Sequence, residues 1–174
     1  MRTYTYKHPN TITKTPKCIV LNDQDQAVGY CQRTFKNSVT KWMNAAMDHK
    51  YFVLHVAEID GEPIAKCKKI SRKGRIYYRA DLEGYTPFEI GYVGWRDLIP
   101  DLRITNGTIV MNLHKEMDDW SVFEYEDVEY ARWLAHFNEQ NDEFELQLEI
   151  FEAAPIQYAA FYIAIAQTIL YIGS

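Results

Sequence analysis

Residues 153–172 read AAPIQYAAFYIAIAQTILYI, a run with no charged side chain. Its composition predicts a helix, because Ala, Ile, Leu, Gln and Tyr are favoured or tolerated in helices. Pro155 suits a first turn, where its missing N–H costs nothing. Glu152, just before it, supplies a negative charge for the positive end of the helix dipole. Apolar residues fall on every side of the run, and a helix apolar all round is enclosed either by protein or by lipid. From Pro155 to Ile172 it would rise roughly 27 Å, marginal against a bilayer core of about 30 Å. Gln157, Gln167 and Thr168 are polar, and no Lys or Arg anchors either end. These features favour a buried core helix over a membrane span. Each of the three polar side chains should then find a hydrogen-bond partner inside the fold.

The sequence upstream reads as the enclosure. Short apolar runs separated by polar turns predict strands at 17–21, 27–35, 51–59, 64–70, 75–81, 88–95, 98–105, 108–114 and 120–125. Alternation at Ala131, Trp133, Ala135 and Phe137 adds another. In EFELQLEI (143–150), Phe144, Leu146, Leu148 and Ile150 face one way and Glu143, Glu145, Gln147 and Glu149 the other. Asp60-Gly61 and Asn106-Gly107 supply the positive φ of tight hairpins. Gly91 and Gly94 suggest bulges or a bend within a strand. The polar, Thr-rich segment 1–16 reads as an N-terminal arm or edge. Val39, Trp42, Met43 and Ala46 recur at helical spacing and predict one short helix over 37–47, its apolar residues read as packing. Ten to twelve strands in one sheet would curl and close, leaving an interior wider than strand side chains alone can fill. The C-terminal helix is the filler.

At 174 residues the chain is read as one domain, residues 1–174, with the central helix at 153–172. Aromatic residues make up 14%, with thirteen tyrosines, which suits pleated surfaces. Three cysteines (Cys18, Cys31 and Cys67) form no paired framework and no CxxC spacing, and the first residues contain no apolar signal region. Both observations point to the cytoplasm. Cys67 and His55 read as core residues, His55 with its hydrogen bonds satisfied.

Chemical motifs are sparse. Asp23 and Asp25 lack the remaining ligands of a calcium loop, and no metal site is expected. The histidines show no HExxH spacing; GxSxG and phosphate-loop patterns are absent too. No catalytic residue and no cofactor follow from these patterns. Charge is the informative property. The net charge is −5, yet Lys66, Lys68, Lys69, Arg72, Lys73, Arg75 and Arg79 crowd one stretch that has no acid between Ala65 and Ala80. From Glu116 onward Arg132 is the only Lys or Arg among many carboxylates.

The strand-turn-strand units Cys18–Phe35, Phe52–Ile70 and Asp101–His114, with Phe144–Ile150 running straight into an apolar helix, resemble the LURP-one-related proteins. These belong with the tubby C-terminal and phospholipid scramblase group. The resemblance covers the chain from about Lys17 and implies a mainly β fold: a closed antiparallel barrel of about twelve strands around a hydrophobic C-terminal helix. It also implies a binding module, since tubby proteins bind phosphoinositide headgroups through basic residues on the barrel exterior. On charge alone, Lys66, Lys68, Arg72, Lys73 and Arg75 are the candidates for anion or lipid binding. The expected partner is an anionic phospholipid or membrane surface met peripherally, with no transmembrane span and no specific nucleic acid. The alternative is a protein-interaction scaffold that uses the acidic C-terminal third and surface aromatics such as Trp95 or Trp120.

Overall fold

The computed structural model describes residues 1–46, 53–72, 75–93, 101–116 and 119–170. Twelve strands run in chain order: β1 (Arg2–Pro9), β2 (Cys18–Asn22), β3 (Ala27–Phe35), β4 (Val53–Ile59), β5 (Ala65–Arg72), β6 (Arg75–Leu82), β7 (Phe88–Val93), β8 (Asp101–Thr105), β9 (Val110–His114), β10 (Ser121–Tyr125), β11 (Val128–Asn138) and β12 (Glu143–Ile150). Helix α1 (Ser38–Ala46) sits between β3 and β4, and α2 (Ala159–Ile169) follows β12. Each strand pairs antiparallel with its neighbours in sequence, and β1 pairs with β12 from Arg2↔Ile150 to Pro9↔Glu143, closing the barrel. Closure removes every free strand edge.

Half of the N-terminal segment 1–16, Arg2–Pro9, is therefore a barrel strand rather than an arm. Tyr4, Tyr6 and His8 point into the barrel while their neighbours face out, a period-two pattern among Thr residues that composition alone disguised. Gly91 sits in regular register with Tyr77 and Arg103 rather than in a bulge, and Gly94 lies outside the described residues. The register shifts fall at Val20/Leu21 and Phe123/Glu124 instead. Both predicted glycine turns form: Gly61 has φ +76° and Gly107 φ +92°.

Helix α2 is the centre of the core. All its residues except Thr168 are buried, and it lies closest to β4 and β5. Each fully buried Ile or Phe contributes about 1.5–3 kcal/mol of transfer free energy, and Phe161, Ile163, Ile165 and Ile169 are all fully enclosed. Phe161 packs on Phe88 with centroids 4.8 Å apart, and Tyr162 meets Phe123 edge-on at 5.1 Å. Ala159, Ala160, Ala164 and Ala166 let the wall approach the helix closely.

The helix starts four residues later than Pro155. Pro155 is exposed, Ile156 dips into the core, and Gln157 folds back so that its Nε2 donates to the carbonyls of Phe151 and Ala154. The last acidic residue before the helix is too far upstream to cap it. A carboxylate from the β4–β5 turn does so instead: Glu62 Oε2 accepts from the Ala160 N–H at 2.9 Å. Gln167 Nε2 donates to Tyr6 Oη at 3.0 Å, and Thr168 Oγ1 donates to Ala164 O within the helix itself. All three polar side chains have partners, and two of them reach the barrel wall, Gln167 to Tyr6 and Gln157, whose Oε1 accepts from the Arg2 guanidinium at 2.9 Å; Gln167 Oε1 is buried with no partner among the described residues. At eleven residues α2 is about 16 Å long, and no described helix is long and apolar enough to cross a membrane.

Candidate functional site

The basic residues belong to one hairpin of the barrel wall. Along β5, Ala65 and Cys67 are buried while Lys66 and Lys68 are exposed, as the alternation of a half-buried strand requires. Cross-strand register fixes their neighbours. Lys66 lies between Val56 and Asp81, and Lys68 between Leu54 and Arg79. Arg79 Nε binds Asp81 Oδ1 at 2.8 Å. Among the described residues, neither Lys66 nor Lys68 makes an ion pair. At the tip, Arg72 stands directly opposite Arg75; Lys73 lies outside the described residues.

The five cations are therefore not equivalent. Lys66 is in register with an acid, Asp81, whereas Lys68 is in register with Arg79, itself bonded to Asp81, and Arg72 is in backbone register with Arg75. Like charges directly opposite one another cost roughly 0.2–1 kcal/mol each.

Two concavities among the described residues lie elsewhere, and none of the five candidates lines either of them. One of about 590 Å³ opens on the outer wall of β1, β2, β11 and β12, with Thr5 and Gln147 between Leu21 and Leu134. Another, of about 490 Å³, sits at the barrel end beside the start of α2, near Glu62 and Tyr158. Lys66 and Lys68, whose side chains are described, stand on the outer face of the barrel wall.

His55 and Cys67 are cross-strand partners, so a Cys–His pair does exist. Its electrostatics oppose nucleophilic use. Burial pushes the Cys67 thiol up to about 12, and burial with the nearby charge of Arg33 holds His55 well below its ordinary range. An activated thiolate needs the reverse on both counts. His55 is less satisfied than expected, since its Nδ1 is buried with no hydrogen-bond partner among the described residues. No group of three potential metal ligands occurs among those residues.

Of the surface aromatics, Trp120 is half-buried beneath the Arg132 guanidinium, 4.6 Å from its ring, and Arg132 is itself held by Glu149 at 2.6 Å. Trp95 lies outside the described residues. Among the described residues the most exposed large aromatic is Trp42 on α1, at 74%, with Val39 at 64% and Met43 at 38% beside it. These residues do not pack into the core as their spacing suggested. Apolar spacing of i, i+3 and i+4 marks one helix face without saying what covers it.

Residues 4–172 match the family model described as Tubby C-terminal like domain. No curated protein and no solved structure matches the chain.

Proposed function

The chain belongs to the tubby C-terminal-like family, and from that membership together with its charge pattern we propose a non-catalytic binding module. It meets an anionic phospholipid surface peripherally, in the cytoplasm, through the outer face of β5 and β6. Lys66, Lys68, Arg72, Lys73 and Arg75 supply the contact. The observation that carries this reading is the gathering of basic residues on one hairpin of an acidic protein, with exposed Lys66 and Lys68 making no ion pair among the described residues and Arg72 in backbone register with Arg75. Such a concentration of one sign of charge favours an anionic partner.

Each Lys or Arg near an anionic leaflet contributes about 1 kcal/mol, so several together hold a protein reversibly. Co-sedimentation with phosphatidylcholine vesicles, with and without phosphatidylserine or phosphoinositide, tests the reading. Binding should require the anionic lipid, weaken with salt, and fall at least tenfold when the five residues become Gln. Binding that survives those substitutions, or no binding at low salt, rejects it. The scaffold reading draws less support, because Trp120 is covered by Arg132.

A further inference from the structure

We infer that helix α1 is a membrane-inserting element, its Val39–Trp42–Met43 face entering the interface of an anionic bilayer beside the basic hairpin. This inference rests on the peripheral membrane reading and adds a second, apolar anchor to it.

The helix is capped without being packed. Asn37 Oδ1 accepts from the Thr40 N–H at 2.8 Å, and Thr40 Oγ1 accepts from the Asn37 N–H at 3.0 Å, a reciprocal cap that fixes the first turn. A nine-residue helix is marginal in isolation and ordinarily draws its stability from burying one face. Here the apolar face points to solvent, and contact with the barrel is chiefly with β3. Three large apolar side chains on one helical turn, including a tryptophan, form the surface that interfacial helices present to lipid. Tryptophan itself prefers the headgroup boundary.

The position and charge of α1 select the occupant. The segment 36–46 carries Lys36 and Lys41 and no acid. It leaves the barrel where Phe35 pairs with Val53. Leu54 pairs with Lys68, so the backbone of β5 runs three residues past the level of Val53, roughly 10 Å at the rise of a strand, before it ends at Arg72. The Arg72/Arg75 tip and α1 thus overhang the same end of the barrel, one strand apart. Exposed Ile12 and Lys14, in the β1–β2 connection, flank α1 on its other side, where the Thr15 N–H donates to Arg33 O. The acidic β11–β12 turn, with Glu139 and Asp142, stands four strands round at the same end. An anionic surface attracts the first side and repels the second, tilting the barrel onto α1.

The test uses phosphatidylcholine/phosphatidylserine vesicles carrying brominated acyl chains. Tryptophan fluorescence of the wild type should be quenched on binding. In Trp42→Phe, which still binds, that quenching should be lost. A variant with Val39→Ser, Trp42→Ser and Met43→Ser should keep its fold, since all three side chains are exposed, and should bind at least about tenfold more weakly. Unquenched binding that is indifferent to the triple substitution but abolished by neutralising the basic hairpin overturns the inference and leaves the basic face standing. No vesicle binding by the wild type overturns both. A dimer in sedimentation equilibrium that the triple variant breaks, with no effect on vesicles, makes the face a contact between copies and also overturns it.

Discussion

Glu62 caps a helix from 98 residues away: its carboxylate accepts the N–H of Ala160, the second residue of α2, at 2.9 Å inside the barrel mouth. Tyr158, at the N-cap position, offers no side-chain bond, and the first turn of α2 contains no acid. The β4–β5 turn therefore fixes where the central helix starts. Loss of an N-cap costs about 0.5–2 kcal/mol. We predict a destabilisation in that range for Glu62→Ala in urea unfolding, and distinctly less for Glu62→Gln, whose amide oxygen still accepts. Equal losses would show that the charge rather than the hydrogen bond holds the helix start.

Tyr6 joins the wall to the helix near its other end. Its Oη accepts from Gln167 Nε2 at 3.0 Å and from Trp133 Nε1 at 3.1 Å, all within the core. Tyr6→Phe strands both donors, each at a cost of about 1–3 kcal/mol. The variant should lose roughly 2–5 kcal/mol of stability, with a shifted emission from the newly unpaired indole. Adding Gln167→Leu removes one stranded donor and should recover part of the loss. A double variant no better than Tyr6→Phe would mean that shape, not pairing, sets the cost.

How much of this was legible follows from what each residue type constrains. EFELQLEI could be read without tertiary knowledge because its alternation admits one strand and one inward face. The closing strand β1 was hidden, since Thr at outward positions and Tyr and His inward carry little hydropathy contrast. The cap on α2 was unreadable: nothing local marks Glu62 as the partner of Ala160, and Glu152 was the nearer candidate. Pro155 misled for a related reason, being equally at home in a first turn and in the extended approach it occupies. In the candidate site, charge composition located the hairpin, but only register separates Lys66, opposite Asp81, from Lys68, opposite Arg79. The exposed face of α1 had no sequence signal to distinguish it from a packed one.

Acid should weaken this barrel through its interior histidines. Burial, reinforced by the charge of Arg33, lowers His8 from 6.5 to about 4, and His55 shifts the same way. Between those values the unfolded chain binds protons that the folded chain does not, so stability falls as pH drops from 6.5 toward 4. The stabilisation is complete above 6.5, and the His8 contribution amounts to roughly 3 kcal/mol. Urea midpoints across this window should show the decline, and His8→Phe should reduce its slope without abolishing it, because His55 remains. A slope unchanged in His8→Phe would assign the acid sensitivity to other groups.

The three thiols should differ in reactivity in a way that bears on the Cys–His pair. Cys18 and Cys31, both free thiols, face each other across β2 and β3; hydrogen bonding between the two thiols lowers Cys18 and raises Cys31, and burial also raises Cys31. Cys67 is fully enclosed beside His55, its thiol pushed up to about 12. Since the thiolate is the nucleophile, alkylation of the folded protein at neutral pH should label Cys18 first and leave Cys67 unmodified until the barrel unfolds. Peptide mapping after a short exposure to iodoacetamide reads the order directly. Rapid labelling of Cys67 in the native protein would mean that the His55–Cys67 pair is open and activated, and would revive a catalytic reading of the barrel interior.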